Sequence, residues 1–253
     1  KPSCVVAESI QINFGGFVPL STVDWRGKSV CVVFFRGCPV KCWYCHNQSI
    51  LTGEDRRPVE EVKELIRSSA LLISGVIFSG GEATMQPPAL FALARYSRSI
   101  GLSTGLHTNG VYPDIIRKLI DERLIDHIAL DIKAEWNLYT VRGKERAVGK
   151  QVKESLTLCT ESHHAGTLPG FEVVVTLFPG YGEEIMTISR DVAPDIDLVL
   201  QQGVYMGIRP LDLNNLKGIA DRLGRPVRIR TRSDGEIFYE GTRSSWDAGI
   251  GER

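Results

Sequence analysis

The feature that most constrains the fold of this chain is a regular alternation of apolar, β-rich runs with segments of helical spacing. The β-rich runs are 29–35, 75–78, 102–107, 127–131, 171–177 and 198–201. The helical segments are 59–69, 89–100, 113–122, 150–164, 183–192 and 213–223. Short apolar runs of this kind are typical of strands that are buried on both faces of a parallel sheet. The alternation therefore predicts right-handed βαβ units that share one sheet.

Six strand and helix units are too few for a closed barrel, which needs eight. We therefore expect an α/β fold whose sheet is an open, partial (β/α)6 barrel, with a doubly wound sheet as the alternative. The chain has 253 residues, of which 43% are hydrophobic, enough to bury one full core. We expect a single domain over 1–253, with a core at 28–215, an N-terminal extension at 1–27 and a C-terminal tail at 216–253.

Polar and turn-forming residues follow most of the predicted strands. Gly, Pro or Asn occurs after the runs that end near residues 35, 78, 107 and 177. Because parallel α/β folds bind their ligands at the carboxyl ends of the strands, we expect the functional site at that edge of the sheet.

The charge balance and the apolar runs limit the partners of this chain. Thirty basic and thirty acidic side chains give a formal net charge of zero, so we do not expect nucleic acid as a partner. No apolar run approaches the ~20 residues that cross a bilayer, and the first residues do not resemble a signal peptide. The sequence thus favours a cytoplasmic protein with no membrane partner.

Three of the six cysteines lie close together, and three are scattered. Cys38, Cys42 and Cys45 form a CxxxCxxC motif directly after the first strong strand. Such uneven spacing is not that of a secreted disulfide scaffold. The scattered cysteines are expected to be structural, because buried free cysteine packs as a small apolar residue; they are Cys4, Cys31 and Cys159.

The clustered thiols indicate an iron–sulfur cluster that takes part in chemistry. Three thiolates from one loop can bind a [4Fe–4S] cubane and leave the fourth iron open. An open coordination position is a property of reactive metal sites, whereas structural sites are closed. A structural zinc site with His46 as fourth ligand is the alternative, although a histidine directly after the last cysteine is poorly placed to close a tetrahedron. Trp43 and Tyr44 would exclude water or line an adenine, or simply pack into the core.

This CxxxCx(aromatic)C loop resembles the cluster loop of the radical S-adenosylmethionine (SAM) superfamily. The resemblance implies that the open iron binds the methionine part of SAM. It also implies that an electron from the cluster cleaves SAM to methionine and a 5′-deoxyadenosyl radical, which abstracts hydrogen from a substrate.

A Gly-Gly-Glu sequence after the second strand extends the resemblance. Gly80 and Gly81 allow a close approach of the backbone to a ligand, and Glu82 offers a carboxylate to an ammonium group. On its own this sequence is an ordinary tight turn. In radical SAM proteins a similar turn at the same place binds the methionine amino group.

The turns after the third and fourth strands resemble those of the enzymes that activate glycyl radical enzymes. By position, His107, Thr108, Asp131 and Lys133 become residues near SAM and near a monovalent cation site. An ordinary ion pair at a strand end is the alternative for Asp131 and Lys133. His107 departs from the acidic residue that pyruvate formate-lyase activases carry, which puts the cation site in doubt because neutral imidazole has no negative charge.

Further similarity reaches both ends of the expected core, and in all covers residues 10–215. The run 173–180 resembles the fifth strand, where the family places backbone near adenine, so Val175 is a candidate adenine contact. The stretches 13–17, 21–28, 200–202 and 208–210 resemble the activating proteins of anaerobic ribonucleotide reductase, most of all the archaeal type.

The resemblance implies an enzyme that installs a glycyl radical, most like the archaeal-type activase of anaerobic ribonucleoside-triphosphate reductase. Its partners would be that reductase and a low-potential electron donor such as ferredoxin or flavodoxin. A radical SAM enzyme that acts on a small molecule, another peptide or RNA has the same motifs and stays open. From a different class, a non-catalytic zinc or iron–sulfur module needs no Gly-Gly-Glu.

One long connection remains without an assigned structure. Residues 135–149 include Arg142, Lys144, Glu145 and Arg146, and form either a loop over the site or a solvated linker.

Overall fold

In the part of the chain that the structure describes, the sheet has ten strands, and seven of them are parallel. The computed structural model describes residues 9–40, 42–133 and 148–241. The strands are β1 (Gln11–Ser21), β2 (Val30–Phe35), β3 (Arg56–Pro58), β4 (Gly75–Gly80), β5 (Ser103–Thr108), β6 (His127–Ile132), β7 (Gly170–Leu177), β8 (Asp197–Gln202), β9 (Val227–Thr231) and β10 (Gly235–Tyr239). Their order is β10-β9-β8-β7-β6-β5-β4-β2-β1-β3, with the stretch from β2 to β9 parallel.

Six α-helices, counted over the described residues, cover the outer face of this sheet. They are α1 (Val59–Ser69), α2 (Pro87–Ser99), α3 (Pro113–Asp121), α4 (Gly149–His164), α5 (Gly182–Asp191) and α6 (Leu213–Leu223). The six predicted strands and six predicted helices all occur, each end within two residues of its expected place. The sheet is mostly parallel and does not close over the described residues, so the expected α/β fold with an open, partial barrel is confirmed.

Four strands were not predicted. β1 contains Gly15 and Gly16, which suggest a turn, but the strand has a register irregularity there and pairs antiparallel with β2. A Cβ atom on Gly15 would lie 2.9 Å from the Phe34 carbonyl oxygen, so the glycine allows this close pairing. β3 is a three-residue strand on β1. β9 and β10 form a hairpin in the region expected to be a tail, so the sheet continues beyond the predicted core.

The two faces of the sheet have different environments. The outer face and the helices form one large apolar core. The inner face carries smaller clusters, one of them Ala129, Val174 and Val199 from three neighbouring strands. Because side chains alternate along a strand, every second residue of the parallel strands faces the barrel interior.

The connection between β1 and β2 fills the lower part of that interior. The Trp25 ring lies 3.3 Å from the position that a Cβ atom would take on Gly75 and on Gly105, and it stacks on His127 at 5.1 Å. The upper part, at the carboxyl ends of the strands, stays open. No helix among the described residues is long and apolar enough to cross a membrane. Cys4 and most of the long connection, 134–147, lie outside the described residues.

Candidate active site

A cavity of about 200 Å3 opens at the carboxyl ends of the parallel strands. Its walls come from the loop after β2 and from the ends of β4, β5, β6, β7 and β8. Of the predicted site residues it brings together Cys38, Cys42, Tyr44, Cys45, Gly80, Gly81, Glu82, His107, Thr108, Asp131 and Lys133. The position where sequence reasoning placed the site is therefore also where the fold forms a cavity.

The three clustered cysteines lie on one wall of the cavity. All three side chains are partly buried, and Cys38 and Cys42 pack against the apolar core. Burial raises the pKa of Cys38 to about 12 and that of Cys42 to about 11. Metal binding to these thiols must therefore displace their protons. The Asn109 side-chain amide donates to the Cys38 sulfur at 3.6 Å, as is typical of groups that surround cluster sulfurs.

Arg36 holds the loop that carries the cysteines. Its guanidinium donates to the carbonyl oxygens of Phe14 at 3.0 Å, Ser49 at 3.0 Å and Thr52 at 3.2 Å. The Gln86 side chain donates to the Arg36 carbonyl oxygen at 2.9 Å. These bonds join the start of the loop to β1 and to the chain that follows the loop, so the thiols sit on a supported segment.

The donor set fits a cubane cluster. Three thiols from one loop face one cavity, and a cubane takes each of them on a different iron. Within 9–40, 42–133 and 148–241, no three His, Cys, Asp or Glu side chains converge as a single metal ion would require. His46 is exposed. The geometry gives no support to the zinc alternative.

The paired glycines allow β4 to pass very close to the cysteine loop. A Cβ atom on Gly81 would lie 2.0 Å from the Gly37 carbonyl oxygen, and one on Gly80 would lie 2.3 Å from backbone atoms of Phe35. Gly80 also has a φ of +121°, which L side chains rarely adopt. Only glycine fits at either position, so the backbone itself forms this part of the wall.

Glu82 is only 1% exposed and is enclosed by donors from two turns. One carboxylate oxygen accepts from the Thr84 amide at 3.1 Å, the Thr84 hydroxyl at 2.6 Å and the Thr108 hydroxyl at 2.8 Å. The other accepts from the Asn109 amide at 2.8 Å. Burial raises the pKa of Glu82, and these bonds oppose the rise. The carboxylate thus joins the exits of β4 and β5, a role that sequence reasoning did not anticipate.

His107 faces the cavity from β5 as a neutral ring. Its Nε2–H donates to the Asp24 carbonyl oxygen at 3.0 Å, which leaves Nδ1 as an acceptor. Burial lowers the pKa of His107, which favours the neutral form. A cation site at this position stays untested.

Asp131 and Lys133 face the same cavity from the end of β6. One Asp131 oxygen pairs with the Lys133 ammonium, and the other is buried without a hydrogen-bond partner among the described residues. Burial lowers the pKa of Lys133, but the adjacent Asp131 carboxylate outweighs it and raises the value above the usual one. The pair therefore forms a polar part of the cavity wall.

Aromatic rings form the wall beside the cysteines. The buried Tyr44 ring lies 4.9 Å from Phe178, and its hydroxyl donates to the Lys133 carbonyl oxygen at 3.1 Å. Trp43 is 45% exposed and donates to the Tyr181 hydroxyl at 3.0 Å. These rings cover the site on the side of β7 and α5.

Val175 is the one predicted site residue whose side chain does not line the cavity. It is 4% exposed and packs in the outer core, whereas its neighbour Thr176 lines the cavity. Strand alternation explains this, because Thr176 and Gln201 share the inner face with Asp131. The sequence analysis did not predict three residues that line the cavity, namely Asn109, Thr176 and Gln201. For Thr176 and Gln201, the alternation of side chains along a strand offered a signal.

Two curated proteins are similar to part of this chain. A glycyl-radical enzyme activating enzyme, so named, of Methanocaldococcus jannaschii is 37% identical over 142 residues, or 56% of this chain and 58% of that protein. The pyruvate formate-lyase-activating enzyme of Clostridium pasteurianum is 33% identical over 40% of this chain and 44% of that protein. This chain thus matches only about half the length of these curated relatives.

A solved structure supports the fold. The structure of TYW1 with a lysine-pyruvate adduct bound matches this protein with a TM-score of 0.60 and 17% sequence identity. The match covers 85% of this chain and 80% of the TYW1 chain. At that identity the likeness concerns the fold alone. A family model described as the radical SAM superfamily matches residues 32–192, which run from β2 into the residue after α5. This match covers more than half of the sequence. The chain therefore belongs to the radical SAM superfamily, whose members bind a [4Fe–4S] cluster and SAM.

Proposed function

We propose that this protein activates a glycyl radical enzyme by removing a hydrogen atom from one glycine of that partner. The observation that carries the proposal is the meeting of three thiols, a Gly-Gly-Glu turn, and the ends of β5 and β6 in one cavity. The names of the two relatives, which match 56% and 40% of this chain, supply the reaction class.

Cys38, Cys42 and Cys45 would hold the cluster through their sulfur atoms. When bound, the reduced cluster supplies the electron that splits SAM into methionine and a 5′-deoxyadenosyl radical. The Asn109 amide, 3.6 Å from the Cys38 sulfur, would stabilise negative charge on that sulfur.

The other residues of the cavity would place SAM and exclude water. The backbone of Gly80 and Gly81 offers the closest approach to the methionine ammonium, and Glu82 keeps that turn in position. His107 Nδ1, Thr108 and the Asp131–Lys133 pair offer polar contacts from the ends of β5 and β6, while Tyr44 shields the cysteine loop. The same proposal places the backbone of Val175 near the adenine of SAM.

Within this class, we propose anaerobic ribonucleotide reductase as the partner. The resemblance of 13–17, 21–28, 200–202 and 208–210 to the archaeal-type activases supports this choice. A low-potential donor such as ferredoxin or flavodoxin would reduce the cluster in the cytoplasm, where thiols stay reduced.

Anaerobic incubation with a partner tests the function. Cluster-loaded protein, SAM, reductant and anaerobic ribonucleotide reductase should give the doublet signal of a glycyl radical in electron paramagnetic resonance, with one 5′-deoxyadenosine for each radical formed. A reductase variant in which the target glycine is replaced by alanine should give no doublet. Formation of 5′-deoxyadenosine with small molecules, but never a doublet with any glycyl radical enzyme, would reject the proposal in favour of a small-molecule reaction.

A further inference from the structure

A row of polar side chains crosses four neighbouring strands at the inner face of the sheet. Thr176 on β7 is the register partner of Gln201 on β8. Gln201 is in turn the partner of Arg230 on β9, and Arg230 is the partner of Glu236 on β10. Side chains directly opposite each other on adjacent strands share a face and contact one another. Because Thr176 and Gln201 line the candidate SAM cavity, the row connects that cavity with the last strand of the sheet.

Ion pairs fix the outer half of this row. Arg230 donates to one Glu236 oxygen from Nε at 2.9 Å and from Nη2 at 2.7 Å. Its Nη2 also donates to the Glu172 carboxylate at 3.4 Å. The side chains are 29% exposed for Arg230, 17% for Glu236 and 13% for Glu172, so the charges interact largely away from bulk water. The guanidinium is therefore held in one position.

Arg230 sets the orientation of the Gln201 amide group. A guanidinium has only donors, so the amide atom that faces it must be the oxygen. Arg230 Nη1 donates to Gln201 Oε1 at 3.3 Å, and Gln201 Nε2 points the other way, toward the Thr176 hydroxyl at 3.5 Å. The Gln201 side chain makes no other hydrogen bond among the described residues. The contact with Arg230 therefore decides which end of the amide faces the cavity.

This orientation leaves two hydrogens for a ligand. The Gln201 amide nitrogen carries two hydrogens, of which one is directed to Thr176. The Thr176 hydroxyl accepts that bond, and its own hydrogen has no acceptor within the described part of the chain. Thr176 is only 6% exposed, and a buried donor without a partner is costly, so a ligand that brings an acceptor gains affinity here. The wall at β7 and β8 thus presents two donors side by side.

From this geometry, and resting on the placement of SAM proposed above, we propose that Arg230 is a positioning residue for SAM, because it directs the donors of Gln201 and Thr176 toward the cofactor. The methionine part of SAM belongs at the cysteine loop and the Gly-Gly turn, so the nucleoside is the part that reaches β7 and β8. Its ribose oxygens and adenine nitrogens are acceptors that suit this wall. Gln201 and Arg230 both lie beyond residues 32–192, which the family model matches. The β9–β10 hairpin thus contributes to cofactor binding without lining the SAM cavity.

Anaerobic calorimetric titration of SAM into the cluster-loaded protein tests this inference without a partner or radical chemistry. Gln201→Met removes the amide but keeps a side chain of similar length, and should raise the Kd of SAM about tenfold. The double variant Arg230→Met and Glu236→Met removes one charge of each sign and leaves the Gln201 amide free to turn, which should raise the Kd about threefold to tenfold. Because Arg230 acts through Gln201, all three changes together should cost no more than Gln201→Met alone, whereas independent effects would multiply.

A neighbouring ion pair provides the matched control. Arg228 on β9 and Asp197 on β8 are joined at 2.9 Å, and neither lines the SAM cavity. The double variant Arg228→Met and Asp197→Met should keep the native Kd of SAM. Iron content and the thermal midpoint without SAM, measured for every variant, separate a loss of affinity from a loss of fold.

Native SAM affinity in Gln201→Met would overturn the inference. Losses that multiply in the combined variant would also overturn it, because Arg230 would then act by another route. The same is true if the Arg230–Glu236 variant loses thermal stability but keeps the native Kd, since the ion pair would then be structural only. If the coupling holds but no partner yields a glycyl radical, the proposed function fails while the role of Arg230 stands. If radicals form and the coupling is absent, the function stands and this inference fails.

Discussion

The described cysteines divide into two groups with different surroundings. Cys31 and Cys159 are fully buried, and burial raises the pKa of both thiols. They pack in the outer core, in agreement with the structural role expected of them. Cys38, Cys42 and Cys45 instead line an open cavity, where a metal can reach them.

Replacing a cavity cysteine should therefore remove the cluster. After anaerobic reconstitution the native protein should bind about four irons per chain, and Cys42→Ala should lose most of them together with the broad visible absorption. Cys159→Ala, which changes a buried thiol on α4, is the control and should keep the full iron content. An intact cluster in Cys42→Ala would count against the proposed ligands.

A methyl group on Gly81 should displace the cysteine loop. The added Cβ would lie 2.0 Å from the Gly37 carbonyl oxygen, a backbone atom next to Cys38. We expect Gly81→Ala to lower SAM affinity at least tenfold, about 1.4 kcal/mol, as measured by equilibrium binding to the cluster-loaded protein. Gly218→Ala is the control, because nothing lies within 4 Å of its added Cβ on α6. Native affinity in Gly81→Ala would show that the close approach is not needed.

Glu82→Gln should destabilise the fold even without SAM. The amide NH2 would replace one of the two oxygens, so its hydrogens would face either the Thr84 and Thr108 donors or the Asn109 N–H. The cost should be about 1–3 kcal/mol in the free energy of unfolding, measured by urea titration of the cluster-free protein. Glu61→Gln, an exposed change on α1, should have almost no effect. Reduced SAM affinity at unchanged stability would instead indicate a direct contact between Glu82 and SAM.

At the scale of elements, the connection between β1 and β2 determines what fills the lower barrel. Trp25 packs against Gly75 and Gly105 and stacks on His127, and the Asp24 carbonyl oxygen orients His107. A segment outside the parallel strands thus supports a residue of the candidate site from below.

This packing should make stability depend on pH. Burial lowers the pKa of His127 to about 3, compared with the usual 6.5. Well above pH 6.5, His127 is neutral in both the folded and the unfolded protein. As the pH falls toward 4, His127 takes up a proton in the unfolded chain but stays neutral in the folded protein. The free energy of unfolding should then drop by up to about 1.4 kcal/mol per pH unit from this residue. His107, whose pKa burial also lowers, adds to the same trend.

His127→Phe keeps a ring against Trp25 and should reduce this slope in urea titrations between pH 7 and pH 4.5. His46→Phe, a change of an exposed histidine next to Cys45, should leave the slope of the cluster-free protein unchanged. An unaltered slope in His127→Phe would show that the buried ring is not its source.

At the scale of the whole molecule, the candidate site joins distant parts of the chain. The cavity takes side chains from the cysteine loop near residue 40 and from Gln201 on β8, and Arg230 on β9 supports Gln201. A ligand that bridges these walls stabilises the entire sheet, because it binds only the folded state.

SAM should therefore raise the thermal midpoint of the cluster-loaded protein in anaerobic calorimetry. At about 100 times its Kd, it should add about 2.7 kcal/mol to the free energy of unfolding. The Cys42→Ala protein, without a cluster, should respond much less. An equal response in both proteins would mean that SAM binding does not depend on the cluster.

Much of this architecture was predictable from the sequence because the signals are local. The apolar runs near residues 30, 76 and 105 predicted strands at their observed places, and the turn after each carried polar residues that do line the cavity. The β9–β10 hairpin was missed because Arg228 and Arg230 resemble a solvated tail, although the alternation of Arg with Val and Ile fits a strand.

The sequence by itself determined the order of the elements, the α/β class and the cysteine loop, because these depend on periodicity and on spacing within a few residues. Only the tertiary structure decided which side chains face the cavity and which partners they have. Glu82 accepts a hydrogen bond from Thr108 in a different turn, and Thr176 rather than Val175 lines the cavity. Trp25, which lies outside the parallel strands, packs inside the barrel. Such contacts depend on strand registration and on segments far apart in the chain, and no local pattern encodes them.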